Sequence, residues 1–97
     1  CCYYGEITVI EVLDKSLTIH TVANGTIEAH GPLSRIEKWL EPIGIFYRVH
    51  KSYIISIDHL ESIAGDLVKI RYYDRLIKLG ARYRKRFDEF SESITYH

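Results

Sequence analysis

The chain contains no methionine, no C-x-x-C pair and no apolar run approaching the roughly 18 residues that a membrane span requires. Its only cysteines are adjacent, Cys1 and Cys2, so neither a disulfide framework nor a zinc site is indicated, and a reducing cytosol is the expected compartment. No initiator methionine and no charged-then-apolar leader are present, so residues 1–97 read as one domain cut from a longer chain. Also missing are a Gly-rich phosphate loop, a nucleophile elbow and a metal-binding helix motif. Ser52 near His50 could be written as nucleophile and base, but no acid partner is identifiable. The expectation is a non-enzyme that uses no cofactor and no metal.

The composition is that of a compact domain: 46% hydrophobic residues and balanced charge are incompatible with disorder. Zero net charge conceals a polarised sequence. Residues 1–47 hold three Lys and Arg against six Asp and Glu, residues 48–86 hold ten against four, and residues 87–97 return to net −3. A basic half on a neutral domain is the electrostatic footprint of a phosphate-bearing partner, although a charge run is more often a solvated face.

Ile7, Val9, Ile10 and Val12 are closely spaced β-branched residues and predict a strand. Leu17–Val22 and Thr26–His30 predict a hairpin around Asn24-Gly25, because a type I′ turn needs φ > 0 at both central residues. Ala23 opposite Thr26 then pairs His20 with Ala29 and sends His20 and His30 to opposite sides, which argues against a shared metal site. Pro32 to Leu40 predicts a short helix with Leu33, Ile36 and Leu40 on one face, stopped by Glu41-Pro42.

From Ile43 to Ile57 the odd positions Tyr47, Val49, Tyr53, Ile55 and Ile57 are apolar, and Lys51 breaks the alternation. An ammonium pointing into a core costs several kcal/mol, so the chain is expected to turn or bulge at His50-Lys51-Ser52; the alternative is an edge lysine that snorkels to solvent. A second hairpin is predicted with Leu67–Tyr73 and Leu76–Ala81 around Asp74-Arg75. That register makes Arg71 and Lys78 cross-strand neighbours of like charge, a repulsion that a bound phosphate would relieve. Arg82-Tyr83-Arg84-Lys85-Arg86, followed by Phe87 and Phe90, predicts a closing helix with a basic first turn, which opposes the helix dipole unless an anion is bound.

Phe46-Tyr47-Arg48-Val49-His50-Lys51-Ser52-Tyr53-Ile54-Ile55 resembles the F-x-R-x-H-[RKN]-S-[YF]-[ILV]-V core of the LytTR family of bacterial DNA-binding domains. Ile10-Glu11, the segment Gly31 to Leu40, Asp58 to Ile63 and Leu79 to Lys85 resemble further blocks of that family in the same order. Departures are Ser56 for the usual Asn, Ala81 for the Ser before the closing Arg, and Leu17 where a polar contact residue can occur. The resemblance implies an all-β, mainly antiparallel fold: small sheets and hairpins with a short helix near 32–40 and a short C-terminal helix. It further implies sequence-specific binding of double-stranded DNA by loops inserted into successive grooves.

Carried over residue by residue, the contacts are Lys15-Ser16, His50-Lys51-Ser52 and Arg82 with its basic followers. Lys51 and Arg82 suit the acceptors of guanine in the major groove, and Arg48, Arg84 and Lys85 suit phosphates. His50 is equally readable as a structural histidine bonded to backbone. The family also implies the output domain of a two-component response regulator in the bacterial cytoplasm, an upstream receiver or sensor domain, and binding as a pair to direct repeats. No membrane contact is expected.

Two other readings use the same basic surface: an RNA or single-strand module stacking bases on tyrosines, and a protein-interaction module facing an acidic partner. An aromatic sheet face at Tyr72 and Tyr73 would favour single strands, and basic loop tips would favour duplex grooves.

Overall fold

A computed structural model of the chain describes residues 4–23, 25–85 and 87. Cys1, Cys2, Asn24, Arg86 and Phe90 therefore lie outside the described residues.

The β-branched opening forms β1, Ile7–Leu13, which pairs antiparallel with both β2, Ser16–Thr21, and β5, Tyr53–Ser56. β3, Thr26–His30, and β4, Phe46–His50, lie at the edges, giving the order β3-β2-β1-β5-β4. A second, three-stranded sheet consists of β6, Leu60–Ala64, β7, Leu67–Ile70, and β8, Ile77–Lys78. The helix α1, Leu33–Leu40, has Pro32 as its N-cap, and Gly44 at φ 81 ends the 3-10 turn that follows it. Residues 81–85 form a further helical segment. The fold is thus mainly antiparallel β with short helices, as the resemblance implies.

Alternation along the central strands buries both faces of the five-stranded sheet. Val9, Val49 and Ile55 pack against Val68, Ile70 and Ile77 of the second sheet and Leu79 just after it, with Phe87 closing the cluster. Ile10, Leu17 and Ile54 pack on the opposite face against Leu33 and Leu40 of α1. Three layers result: helix, large sheet, small sheet.

Both hairpin registers differ from the sequence expectation. β2 and β3 pair Leu17 with Ala29, Ile19 with Ile27 and His20 with Thr26, three residues away from the predicted alignment. The Asn24-Gly25 signal implies a tight turn, but Thr21 instead donates both its N–H and its Oγ1 to the Gly25 carbonyl, at 3.2 and 2.8 Å. A slip by an odd number changes the face, and this one brings Leu17, Ile19, Ile27 and Ala29 to the same side. His20 and His30 consequently share a face, contrary to expectation, but stand about 13 Å apart along it, four residues of strand.

In the second sheet the tight hairpin is β6–β7 around Gly65-Asp66, and β7 stops at Ile70. Val68 faces Ile77 and Leu67 faces Lys78, a slip of four residues that keeps the apolar face because four is even. Arg71 and Lys78 are therefore not cross-strand neighbours, and the phosphate invoked to relieve their repulsion has no basis. Tyr72 adopts φ 67 and turns the chain, so that Tyr73, placed by sequence beside a hairpin tip, becomes buried. Its hydroxyl donates to Glu11 Oε2 at 3.3 Å, and its ring meets His20 edge-on at 5.0 Å.

Candidate nucleic-acid interface

Because β1 is antiparallel to both neighbours, the β1–β2 turn and the β4–β5 turn emerge at the same end of the large sheet. Asp14 and Lys15 have φ 49 and 69, the two positive values of a type I′ connection, with Leu13 opposite Ser16 closing the ladder. Lys15 is exposed at this tip and Ser16 is half-buried at the start of β2. The I′ geometry that Asn24-Gly25 advertised thus occurs ten residues earlier, on residues whose side chains strain it.

The expected break at Lys51 is present. A register irregularity between Arg48 and His50 precedes a turn at Lys51 and Ser52, and Lys51 is exposed. The Ser52 carbonyl accepts the Val12 N–H at 3.0 Å, tying this turn to the end of β1 beside the Asp14-Lys15 tip. His50 Nδ1 accepts the Ser52 backbone N–H at 3.1 Å, and its ring packs edge-on against Tyr53 at 5.5 Å. This is the structural role that sequence left open for His50, and the bond goes to the Ser52 backbone and not to its hydroxyl.

The third segment arrives through Gly80. Its N–H donates to the Val49 carbonyl at 2.7 Å, and its carbonyl accepts the Tyr83 N–H at 2.9 Å, starting the helical residues 81–85. Contact here is close: a Cβ on Gly80 would stand 3.5 Å from Val49 O and 3.6 Å from His50 Cα. Arg82, Arg84 and Lys85 are exposed on this segment. Lys15, Lys51 and Arg82, distant in sequence, therefore belong to three segments joined by backbone hydrogen bonds.

Arg48, expected at a phosphate, has its guanidinium engaged within the protein. Its side chain is 16% exposed. Nη2 donates to the Lys51 carbonyl at 2.7 Å, Nε to the His50 carbonyl at 3.3 Å and Nη1 to Glu37 Oε1 of α1 at 3.2 Å. The guanidinium carbon also lies 5.5 Å from the centre of the Tyr83 ring.

Sequence reasoning placed Glu11 only in a family block and missed its use. It is 7% exposed and accepts from His20 Nε2 at 2.6 Å, Tyr73 Oη at 3.3 Å and Arg75 Nη2 at 3.1 Å. An acid among the apolar residues of a central strand is the signal that could have found it. The Tyr73 phenol is held well above its ordinary range, first by burial and then by the Glu11 charge. Among the described residues, Ser56 Oγ, where the family has Asn, is the buried side-chain polar atom with no partner.

Two small antiparallel sheets with short helices define the class, a β-rich domain in which Lys15, Lys51 and Arg82 lie on three linked segments. The family is then specific. The LytTr DNA-binding domain model matches residues 3–92, and the chain belongs to that family. Among solved structures, the fold is similar to the LytTr DNA-binding domain of a protein described as a methyl-accepting/DNA response regulator from Bacillus cereus. The TM-score is 0.79 at 20% identity, over 91% of this chain and 83% of that one. A search of the curated proteins returns no match.

Proposed function

We propose that this domain binds double-stranded DNA sequence-specifically, with its three cationic segments entering successive grooves. The observation that carries the reading is their convergence: the Lys15 tip and the Lys51 turn are linked through Val12 and Ser52, and the Arg82 segment is linked to β4 through Gly80 and Val49. Lys51 and Arg82 donate to guanine O6 and N7, whereas Lys15, Ser16, Ser52, Arg84 and Lys85 hold backbone phosphates. His50 shapes its turn. The domain serves as the output module of a bacterial transcription regulator in the cytoplasm, behind a receiver or sensor domain, and binds as a pair to direct repeats. No described helix is long and apolar enough to cross a membrane.

Single-strand binding is less well supported, because Tyr73 is 6% exposed and Tyr72 stands in a loop against His59. The described tyrosines at this point make no stacking platform.

Titration of random duplex and matching single-stranded DNA across a salt series tests the reading. Duplex binding should dominate, with log affinity falling by about 0.9 per phosphate per log salt. Lys51→Ala and Arg82→Ala should each cost about 1–3 kcal/mol on a duplex selected from a random pool, and relax its sequence preference. Binding to neither nucleic acid, or preferential single-strand binding with both variants unaffected, overturns it.

A further inference from the structure

We propose that Arg48 is a positioning residue that clamps the Lys51 turn and docks it on the segment carrying Arg82, so that these two contacts meet DNA as one unit. This rests on the DNA-binding reading above. One planar guanidinium reaches two successive turn carbonyls, His50 O at 3.3 Å and Lys51 O at 2.7 Å, which fixes the direction in which Lys51 leaves the backbone. Its third side engages Glu37 of α1 at 3.2 Å. The Tyr83 ring, 5.5 Å from the guanidinium carbon, belongs to the residue directly after Arg82. An ammonium could not span this set, because it lacks the rigid fork of donors.

Arg48 thus supplies order to the interface while its own charge is directed into the protein and offset by Glu37. A phosphate contact and a positioning role make opposite demands on salt dependence and on Glu37, so they separate experimentally.

Three variants, Arg48→Ala, Arg48→Lys and Glu37→Gln, should be measured on a duplex that the wild-type chain selects from a random pool. Arg48→Ala and Arg48→Lys should weaken binding on the order of tenfold. The slope of log affinity against log salt should remain that of wild type, whereas loss of a phosphate contact would lower it by about 0.9. Glu37→Gln removes a negative charge from the domain and by charge alone would tighten binding; the clamp requires it to weaken binding. Amide hydrogen exchange in the free protein supplies a readout independent of DNA: the Ser52 and Gly80 N–H groups should exchange faster in Arg48→Lys.

Three results overturn the proposal: unchanged exchange at both amides, a salt slope lowered by about 0.9 in Arg48→Ala, or tighter binding by Glu37→Gln. If Arg48→Ala fails to fold, Arg48→Lys and Glu37→Gln carry the test. A wild-type chain that binds no duplex overturns the DNA reading, and the exchange comparison still decides whether Arg48 orders the turn.

Discussion

The turn that carries Lys15 and the turn that carries Lys51 stand side by side at one end of the sheet, yet they hold their shapes by different means. Asp14-Lys15 is a two-residue link between paired strands, shaped by backbone geometry with φ 49 and 69. Left-handed conformations on residues with a Cβ cost about 1 kcal/mol each, so the strands on either side must hold the tip in place. The Lys51 turn is held by side chains: Arg48 on two of its carbonyls and His50 on the Ser52 N–H. A backbone-defined tip depends on its strands being anchored; a side-chain-defined turn depends on the residues that clamp it.

The largest test of that contrast addresses the anchor of the first tip. Glu11 lies on β1 and gathers His20 of β2 with Tyr73 and Arg75 of the loop from the second sheet. Glu11→Gln keeps the volume but removes the charge that three donors share, and should lower unfolding free energy by about 2 kcal/mol in denaturant titration. An unchanged midpoint would show that the hairpin does not depend on this anchor.

Tyr73 sharpens the same point through pH. With its pKa raised in the fold, the phenol is protonated in both states below about pH 10, and stability there is indifferent to it. Above that, the unfolded chain loses the proton while the folded one retains it, so stability falls with rising pH, by up to about 1.4 kcal/mol per unit. Subtracting the Tyr73→Phe profile from that of wild type between about pH 9 and 11.5 should isolate this alkaline slope. Parallel profiles would contradict the burial that holds the phenol neutral.

The smallest expected effect is at the tip itself. Lys15→Gly relieves a strained φ and should raise stability by about 0.5–1 kcal/mol in thermal melting, while lowering the salt slope of duplex binding by about 0.9. Lower stability would mean that the Lys15 side chain supports the turn as Arg48 supports its neighbour.

Much of this arrangement was legible in the sequence, and its errors have physical causes. The break at Lys51 was readable because a charge at a core position in a strand forces a local change of direction. The helix at Leu33–Leu40 was readable from apolar spacing together with Pro32 at its start and Glu41-Pro42 at its end. The β2–β3 register was misjudged because Asn24-Gly25 is a strong local turn signal, and the alignment of Leu17 and Ile19 with Ala29 and Ile27 prevailed. Tyr73 was misplaced because pattern alone gives a strand tyrosine no reason to leave its hairpin. The charge of Arg48 was visible in the sequence, whereas its acceptors, two turn carbonyls and Glu37, were not.

By itself, the sequence determined the strands of the large sheet, the helix and the break at Lys51, because periodicity and turn chemistry act between near neighbours; it missed the strand Leu60–Ala64 and overextended the one at Ile77–Lys78. Only the tertiary structure decided how the strands slide against one another and which charged side chains face inward. Those choices depend on partners such as Glu11 and Tyr73, 62 residues apart, which meet only when the two sheets pack.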